Sequence, residues 1–325
     1  MRIGVIGGGA WGTALAHVAA AGGRESLLWA LEDEVVEAIN SRHENSLYLD
    51  GVRIDQAVRA TGDLDELSAS DALLVVVPAQ HLRTVLGRLA QYDKPLVLCA
   101  KGIELGSGLL LTDVAAELLP EAPVAVLSGP SFAGEVAAGL PTAVVIASPD
   151  AALNEALMQA LSHDAFRPYG SLDPVGVELA GAAKNVLAIA CGIVMGKGLG
   201  ENARAALVTR GLAEMARLAH ALGGRAETML GLAGVGDVVL TCNSMKSRNA
   251  SLGFELGRGR TLAEILAERR SVAEGVPTAA ALEALAARLG VDMPIASTVA
   301  AILSGRADIE AAISALLARP LKHEA

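Results

Sequence analysis

Short apolar runs alternate with amphipathic segments along the first half of the chain. The apolar runs are bounded by turn residues, as is typical of buried strands, and lie at residues 2–7, 26–30, 72–77, 95–99, 124–127 and 143–147. Segments of helical period lie between several of them, at residues 11–21, 33–40 and 82–91. Since strands that alternate with helices imply right-handed crossovers, this half predicts the α/β class with a Rossmann-like, doubly wound parallel sheet.

The pattern changes after about residue 170. Beyond a short candidate strand at residues 166–168, no run bounded like a strand remains, and long Ala/Leu-rich segments of helical period follow at residues 175–195, 203–222, 262–267, 278–289 and 295–303. We therefore predict two domains, an α/β domain over residues 1–170 and an all-helical domain over residues 171–325. The last residues, 321–325, are expected to fray at the surface.

Composition agrees with two soluble domains. A chain of 325 residues is long for one core, and because only 2% of its residues are aromatic, Ala, Leu, Val and Ile must form most of the interior. The net charge of −10, without a basic stripe, argues against nucleic-acid binding. Three scattered cysteines suit a reducing cytoplasm rather than a disulfide framework, and the histidines show no ligand spacing, so we expect no metal ion.

One apolar run, at residues 179–196, approaches the length of a membrane span. It contains Lys184 and Asn185, however, and a bilayer would resist the lysine. A buried helix is the better interpretation, so we expect no membrane insertion and a cytoplasmic location.

A glycine-rich loop follows the first predicted strand. Residues 7–12 read Gly-Gly-Gly-Ala-Trp-Gly and satisfy G-x-G-x-x-G, with Gly7, Gly9 and Gly12 at the glycine positions. Glycines permit a tight turn and a close approach of the backbone to a pyrophosphate, and the helix that follows offers free N–H groups to it. The motif alone is weak, but between a strand and a helix it predicts a dinucleotide site.

The second predicted strand leads to Glu32, where an acidic residue typically accepts a hydrogen bond from the adenosine ribose 2′-hydroxyl. No Lys or Arg lies within several residues after it. The alternative is that Glu32 merely begins the charged face of the next helix, beside Asp33 and Glu34, and the sequence leaves the two open.

Several motifs coincide with one family, the bacterial-type NAD(P)-dependent glycerol-3-phosphate dehydrogenases, and the resemblance runs the whole length of the chain. The motifs are GVIGGGAWGTALA at 4–16, CAKGIE at 99–104, SGPSFA at 128–133, KN at 184–185, AGVGDVVLTC at 233–242, SRN at 247–249 and VAEG at 272–275. Such enzymes interconvert dihydroxyacetone phosphate and sn-glycerol 3-phosphate, which supplies phospholipid synthesis.

The resemblance implies roles for individual positions. The residues expected at the cofactor, besides the glycines and Glu32, are Ala10, Trp11, Lys101, Ala133, Arg248, Val272 and Glu274. Those expected at the substrate are Lys101, Gly129, Ser131, Lys184, Asp237, Thr241, Ser247, Arg248 and Asn249. Lys184 would be the proton donor or acceptor, with Asp237 and Lys101 beside it as catalytic residues.

One position departs from the family pattern. Bacterial relatives often carry Arg or His at the end of the second strand, where this chain has Leu31. We therefore expect either NAD or NADP as cofactor, with NADH used at least as well as NADPH.

The residues themselves support these roles to different degrees. Ketone reduction needs a proton for the developing alkoxide, and a lysine can supply it when burial lowers its pKa. Lys184 is surrounded by apolar residues on every helical face, which favours function over a lysine that reaches the surface. Asp237 and Thr241 would share a helix face, so Asp237 could orient a lysine, although a simple helix cap is equally compatible.

Phosphate binding is suggested by Ser247, Arg248 and Asn249, because a guanidinium binds phosphate bidentately and the neighbours add neutral donors. Polar triplets in turns are common, so this interpretation depends on the resemblance. Lys101 follows the strand at 95–99, at the edge of a parallel sheet where ligands gather, although an ordinary loop lysine is the alternative.

Together these observations predict an oxidoreductase that acts on a small phosphorylated ketone. The competing hypotheses are a related two-domain dehydrogenase for another hydroxy acid or sugar acid, and a regulator that binds NAD(H) without turnover. The sequence leaves a homodimer open.

Overall fold

The strands of the first half form one sheet, with a small hairpin beside it. The computed structural model describes residues 1–89, 91–269 and 272–320, so residue 90 of the predicted helix at 82–91 and the predicted frayed tail at 321–325 lie outside the described residues. The strands are β1 Arg2–Ile6, β2 Glu25–Trp29, β3 Glu44–Asn45, β4 Leu49–Arg53, β5 Val58–Thr61, β6 Ala72–Val75, β7 Leu96–Leu98, β8 Val124–Ser128, β9 Thr142–Ala147 and β10 Phe166–Ser171.

The main sheet has the order β10-β9-β8-β7-β6-β1-β2-β5, which confirms the doubly wound α/β fold. From β1 the chain winds outward through β2 to β5, and then returns to the other side of β1 at β6. The strand order therefore reverses between β1 and β6. In open α/β sheets such a reversal opens a crevice at the carboxyl ends of the strands, where ligands bind.

The sheet is parallel at every pair but one among the described residues, so the predicted parallel sheet contains a single antiparallel pair. β9 runs antiparallel to β8, while β10 is parallel to β9. A short helix of five residues and two turns join β8 to β9, which lets the chain reverse instead of crossing over the sheet. The hairpin β3–β4 and strand β5 were not predicted, because their short, largely polar sequences show no apolar run.

Helices cover both faces of the sheet and make up the second half. Their bounds are α1 Ala10–Ala21, α2 Asp33–Arg42, α3 Leu82–Leu86, α4 Leu111–Leu118, α5 Ala133–Ala137, α6 Ala151–Leu161, α7 Pro174–Gly196, α8 Gly200–Ala221, α9 Asp237–Cys242, α10 Arg248–Gly257, α11 Leu262–Ala267, α12 Gly275–Leu289, α13 Pro294–Leu303 and α14 Ile309–Leu317. Among the described residues no strand follows β10, as the sequence predicted.

The central element of the second half is α7. Pro174 occupies its first turn, and the Asp173 carboxylate caps it by accepting a hydrogen bond from the Gly176 N–H at 2.9 Å. The helix is long and apolar enough to cross a membrane, but 83% of its apolar window is buried inside the protein, which is the burial of a core helix.

Glycines allow α7 and α10 to cross with their backbones in contact. A Cβ atom on Gly192 would lie 2.1 Å from the Ala250 carbonyl oxygen, and one on Gly253 would lie 2.1 Å from the Ile189 carbonyl oxygen. No side chain fits at such distances. This close crossing brings the first turn of α10, with Ser247 as its cap, toward the middle of α7 where Lys184 lies.

Candidate active site

The glycine loop lies at the crevice where the strand order reverses. Gly7 has a φ of +124°, a conformation that favours glycine, and a Cβ atom on Gly12 would lie 1.9 Å from the Gly7 carbonyl oxygen. Side chains at either position would therefore break the turn between β1 and α1. By contrast, a Cβ atom on Gly9 would meet nothing within 4 Å, so the loop is open on that side. These features fit the binding of a dinucleotide pyrophosphate against the first turn of α1.

The far end of this crevice carries Glu32. Its carboxylate accepts a hydrogen bond from the Tyr48 hydroxyl at 2.7 Å, and makes no side-chain cap to α2 although Glu32 stands at the cap position. Leu31 beside it is 77% exposed. The geometry therefore presents a fixed carboxylate at the end of β2 rather than a helix cap.

A buried carboxylate between two ammonium groups forms the centre of the second site. The Asp237 carboxylate, 1% exposed, accepts hydrogen bonds from Lys184 Nζ and Lys101 Nζ, both at 2.7 Å, one on each oxygen. Lys184 Nζ also donates to Thr241 Oγ1 at 2.8 Å, and Lys101 Nζ to the Gly129 carbonyl at 3.2 Å. Because each ammonium has three donors, each keeps one for another partner.

Different elements bring these groups together. Lys184 lies in the middle of α7 and is 7% exposed, so it does not reach the surface. Asp237 is the first residue of α9, Lys101 follows β7, and Gly129 follows β8. The two strands contribute at their carboxyl ends, as parallel neighbours in the sheet.

The surroundings shift the pKa values of this cluster. Burial is the largest cause for Lys184 and lowers its pKa to about 8, although Asp237 partly opposes the shift and Lys101 adds to it. For Asp237, burial by itself would raise the pKa, but the two ammonium groups outweigh burial and hold it below its ordinary value. The cluster therefore holds an ionised carboxylate beside a lysine that can exchange a proton near neutral pH.

A chain of amide hydrogen bonds connects this cluster to the predicted phosphate residues. Asn185 donates to the Lys101 carbonyl at 3.3 Å and accepts from Asn249 Nδ2 at 2.9 Å. Asn249 Oδ1 in turn accepts from the Gly275 N–H at 3.0 Å. The Glu274 carboxylate accepts from the Ala79 and Lys101 N–H groups, at 3.2 and 3.4 Å. Burial raises the pKa of Glu274.

The remaining predicted residues flank the crevice. Ser247 is buried and caps α10 through the Ala250 N–H at 3.2 Å, while Arg248 is exposed and its guanidinium has no hydrogen-bond partner among the described residues. Ser131 donates to the Gly129 carbonyl at 3.0 Å. Ala133 begins α5, which packs on α1 near Ala10 and Trp11.

The structure thus brings five of the predicted residues into one cluster of hydrogen bonds: Lys101, Lys184, Asp237, Thr241 and Gly129. Asn249 is connected to this cluster through Asn185. Glu32 lies apart from them, at the other end of the dinucleotide crevice. Val272 and Glu274 line a cleft of about 140 Å³ with residues 78–81 and 277–278.

Two polar residues of the site were missed. Asn185 follows Lys184 in an apolar helix, so the signal that marked the lysine was also present for its neighbour. Tyr48 gave no signal, since it lies in a hairpin that the sequence pattern did not predict.

Comparisons with known proteins point to one family. Two family models match, the N-terminus of NAD-dependent glycerol-3-phosphate dehydrogenase at residues 2–154 and its C-terminus at residues 173–314. Relatives named glycerol-3-phosphate dehydrogenase [NAD(P)+] occur in Parvibaculum lavamentivorans, at 58% identity over 99% of this chain and 98% of the relative, and in Rhodospirillum rubrum, at 59% identity over 99% and 94%.

Among solved structures, the glycerol-3-phosphate dehydrogenase of Coxiella burnetii is 40% identical, with a TM-score of 0.93 over 98% of this chain and 99% of that one. The match extends through both halves of the fold. The chain therefore belongs to the NAD-dependent glycerol-3-phosphate dehydrogenase family.

Proposed function

We propose that the chain interconverts dihydroxyacetone phosphate and sn-glycerol 3-phosphate, with NADH or NADPH as the other reactant. The observation that carries this proposal is the Asp237 carboxylate between the Lys184 and Lys101 ammonium groups, at the carboxyl edge of a dinucleotide-binding sheet. The names of the relatives, which specify the same reaction, support it.

The dinucleotide would be held by the first half of the chain. Gly7, Gly9 and Gly12 shape the loop, the first turn of α1 faces the pyrophosphate, and Glu32 would accept from the ribose hydroxyl. Ala10, Trp11 and Ala133 would line its path, and Val272 and Glu274 would approach it from the second half. When bound, the nicotinamide supplies or accepts the hydride.

The cofactor carries the hydride of this reaction, so the protein must provide the proton. In the reduction, the Lys184 ammonium would donate through its remaining N–H to the oxygen of the ketone as that oxygen becomes an alkoxide. In the oxidation, the neutral amine would take the proton of the hydroxyl group. A lysine whose pKa is about 8 can serve in both directions.

Asp237 and Lys101 would prepare this transfer. The Asp237 carboxylate fixes the direction of both ammonium groups, and Thr241 limits the rotation of Lys184 by accepting one of its protons. Lys101 keeps one donor, which would stabilise negative charge on the same substrate oxygen.

The phosphate of the substrate would bind at the start of α10. Arg248 offers an exposed guanidinium that makes no hydrogen bond within the described part of the chain, and the Ser247 hydroxyl still has its proton to donate. Asn249 has one amide proton engaged with Asn185, which fixes its orientation and leaves the other proton available. Gly129 and Ser131 would border the substrate on the opposite side.

The two halves of the chain would contribute different parts of the site. We propose that residues 1–170 hold the cofactor and that residues 171–325 complete the substrate site. We also propose a cytoplasmic enzyme that supplies glycerol phosphate for phospholipids, since its cysteines are free and buried.

A spectrophotometric assay tests the proposal. The chain should oxidise NADH or NADPH when dihydroxyacetone phosphate is added, and much more slowly with unphosphorylated dihydroxyacetone. Cofactor binding without turnover on any ketone would favour the NAD(H)-sensing regulator, and turnover of another hydroxy acid or sugar acid in preference would favour the related dehydrogenase.

The variant Arg248→Ala tests the phosphate site. Its KM for the phosphorylated ketone should rise roughly tenfold to a hundredfold, because a hydrogen bond to a charged group contributes about 1.5–3 kcal/mol. Arg258→Ala, which removes an exposed arginine at the other end of α10, is the matched control. Equal losses with the phosphorylated and unphosphorylated ketones would remove Arg248 from phosphate binding.

A further inference from the structure

The hairpin β3–β4 carries a buried polar side chain that the proposed reaction does not use. Asn45 ends β3 and is only 1% exposed, although it lies outside the main sheet and far from the lysine cluster in sequence. A buried amide needs partners for its donors and its acceptor. The position of those partners shows what the hairpin does.

All the amide donors of Asn45 are directed at the glycine loop and the helix that follows it. Asn45 Nδ2 donates to the Gly8 carbonyl and to Thr13 Oγ1, both at 2.8 Å. Its Oδ1 accepts from the Tyr48 N–H at 3.3 Å, within its own hairpin. Thr13 Oγ1 is in turn 3.4 Å from the Gly8 carbonyl oxygen, so amide and hydroxyl converge on that one carbonyl.

The loop needs such an anchor because three glycines follow one another. Glycine has the greatest backbone freedom of any residue, so Gly7-Gly8-Gly9 could present its peptide groups in several orientations. The Gly8 carbonyl and the Gly9 N–H belong to one planar trans peptide and therefore point in opposite directions. Fixing the carbonyl toward Asn45 consequently fixes the Gly9 N–H away from the hairpin.

The side to which the Gly9 N–H turns is the ligand side of the loop. Gly9 caps α1, a helix of twelve residues, and a Cβ atom on Gly9 would meet nothing within 4 Å. No partner for the Gly9 N–H lies among the described residues. An N–H in this position is suited to donate to a pyrophosphate oxygen.

We propose that Asn45 is a positioning residue for the dinucleotide, which holds the Gly8 carbonyl so that the Gly9 N–H faces the pyrophosphate. This inference rests on the proposed function for the identity of the ligand. Asn45 would act through the Gly8–Gly9 peptide and not by its own contact with the cofactor, and the hairpin that carries it lies outside the main sheet.

The test compares two asparagines, of which Asn45 binds the glycine loop and Asn40 binds the backbone of β5. Asn45→Asp keeps the size of the side chain but loses both N–H donors and places a carboxylate against the Gly8 carbonyl. The matched control is Asn40→Asp, because Asn40 holds the Ala60 backbone at 2.8 and 2.9 Å, joining α2 to β5 without touching the loop. For each, the Kd for NADH is measured by fluorescence titration, together with the melting temperature.

Asn45→Asp should raise the Kd for NADH by at least about tenfold, the effect of losing one well-aligned hydrogen bond to a charged group, while Asn40→Asp should change it by less than about twofold. At saturating NADH, the KM for dihydroxyacetone phosphate should stay within about twofold in both. If Asn45→Asp does not fold, Thr13→Val, which removes only one partner of the Asn45 amide, should raise the Kd by roughly threefold or more.

A purely structural role would give a different pattern. A folded Asn45→Asp that melts early but binds NADH like the unmodified chain would overturn the inference, and so would parallel increases in the NADH Kd and the substrate KM. If the unmodified chain itself does not bind NADH, the proposed cofactor fails instead, so the two failures are distinguishable.

Discussion

At the scale of single residues, one carboxylate determines how the active site is arranged. Asp237 is buried and would be costly to ionise alone, but two ammonium groups bind it, one on each oxygen. When the Lys184 ammonium is removed, the Lys101 ammonium remains, so Asp237 keeps one charged partner. The proposed contribution of Lys184 to catalysis can therefore be measured separately from its contribution to folding.

Lys184→Met should lower kcat by roughly 10²–10⁴-fold, the usual contribution of a positioned acid–base group. The Kd for NADH should be unchanged because the glycine loop is untouched, and the melting temperature should change little because the methionine keeps the apolar packing. The control is Lys94→Met. Lys94 lies outside the lysine cluster and donates a hydrogen bond to the Ser70 carbonyl. A Lys184→Met protein that melts early yet turns over normally per folded molecule would end the catalytic assignment.

The pH dependence of the reaction should report the same lysine. With a pKa lowered to about 8, the ammonium loses its proton well below the pH at which an ordinary lysine does. The kcat/KM for ketone reduction should therefore fall as the pH rises above about 8, whereas that for alcohol oxidation should rise up to about pH 8 and level off. Asp237→Asn removes the negative charge that opposes the lowering of the Lys184 pKa. The pH at which the reduction rate falls and the pH at which the oxidation rate rises should therefore both be lower in this variant. A pH dependence that is unchanged in Asp237→Asn would exclude Lys184 as its source.

At the scale of secondary-structure elements, the residues of the candidate site that come from the first half lie where strands end. Lys101 follows β7, Gly129 follows β8 and Glu32 follows β2, while the hairpin β3–β4 folds over this edge of the sheet. The hairpin contacts the crevice at two points, through Asn45 at the glycine loop and through Tyr48 at Glu32. We therefore expect β2 and the hairpin to set the cofactor preference together.

We expect NADH to be used at least as well as NADPH. A 2′-phosphate would meet the Glu32 carboxylate, which Tyr48 holds in place, and Leu31 offers no positive charge to balance it. The ratio of kcat/KM for the two cofactors measures this directly. The double variant Leu31→Arg and Glu32→Gln should shift the ratio toward NADPH by about tenfold or more. A clear preference of the unmodified chain for NADPH would mean that a basic residue distant in sequence reaches the 2′-phosphate.

At the scale of the whole molecule, polar contacts join the two halves around the site. Glu178 of α7 accepts from the Thr112 hydroxyl of α4 at 2.7 Å and from the Leu111 N–H. Arg288 of α12 donates to the carbonyls of Ser107 and Gly108, both at 3.1 Å. These contacts hold the segment after Lys101 between the halves, so the position of Lys101 depends on both.

Stability should depend on pH through Glu178. Burial raises its pKa to about 7, so the folded protein binds this proton more tightly than the unfolded chain does. From about pH 4.5 to 7 this carboxyl should therefore lower the free energy of unfolding as pH rises, by up to the order of 3 kcal/mol. Glu178→Gln should flatten that slope in denaturant unfolding measured at several pH values.

Glu214 provides the comparison for this effect. Burial raises its pKa to about 7 as well, but it accepts from the Ile295 and Ala296 N–H groups within the second half. Glu214→Gln should also flatten the stability slope yet leave the KM values for cofactor and substrate unchanged. A slope that persists in both variants would show that neither carboxyl titrates in this range.

The sequence by itself determined those features that have local causes. Apolar runs predicted the central strands, the helical period predicted α7 and α8 to within a few residues, and the spacing of Gly7, Gly9 and Gly12 predicted the loop between β1 and α1. Lys184 was conspicuous because a charge in an apolar helix is costly wherever that helix packs. Each of these signals lies within a short stretch of chain.

The tertiary structure decided what depends on residues distant in sequence. Lys101 and Asp237 are 136 positions apart, and they become partners only because α7 packs against β8 and α9 packs against α7. The reversal at β9 and the hairpin β3–β4 escaped the pattern because strand direction depends on how connections pack, and polar strands show no periodicity. Asn45 reads as an ordinary loop residue in sequence, and its contact with the Gly8 carbonyl exists only because the fold brings the hairpin against the glycine loop.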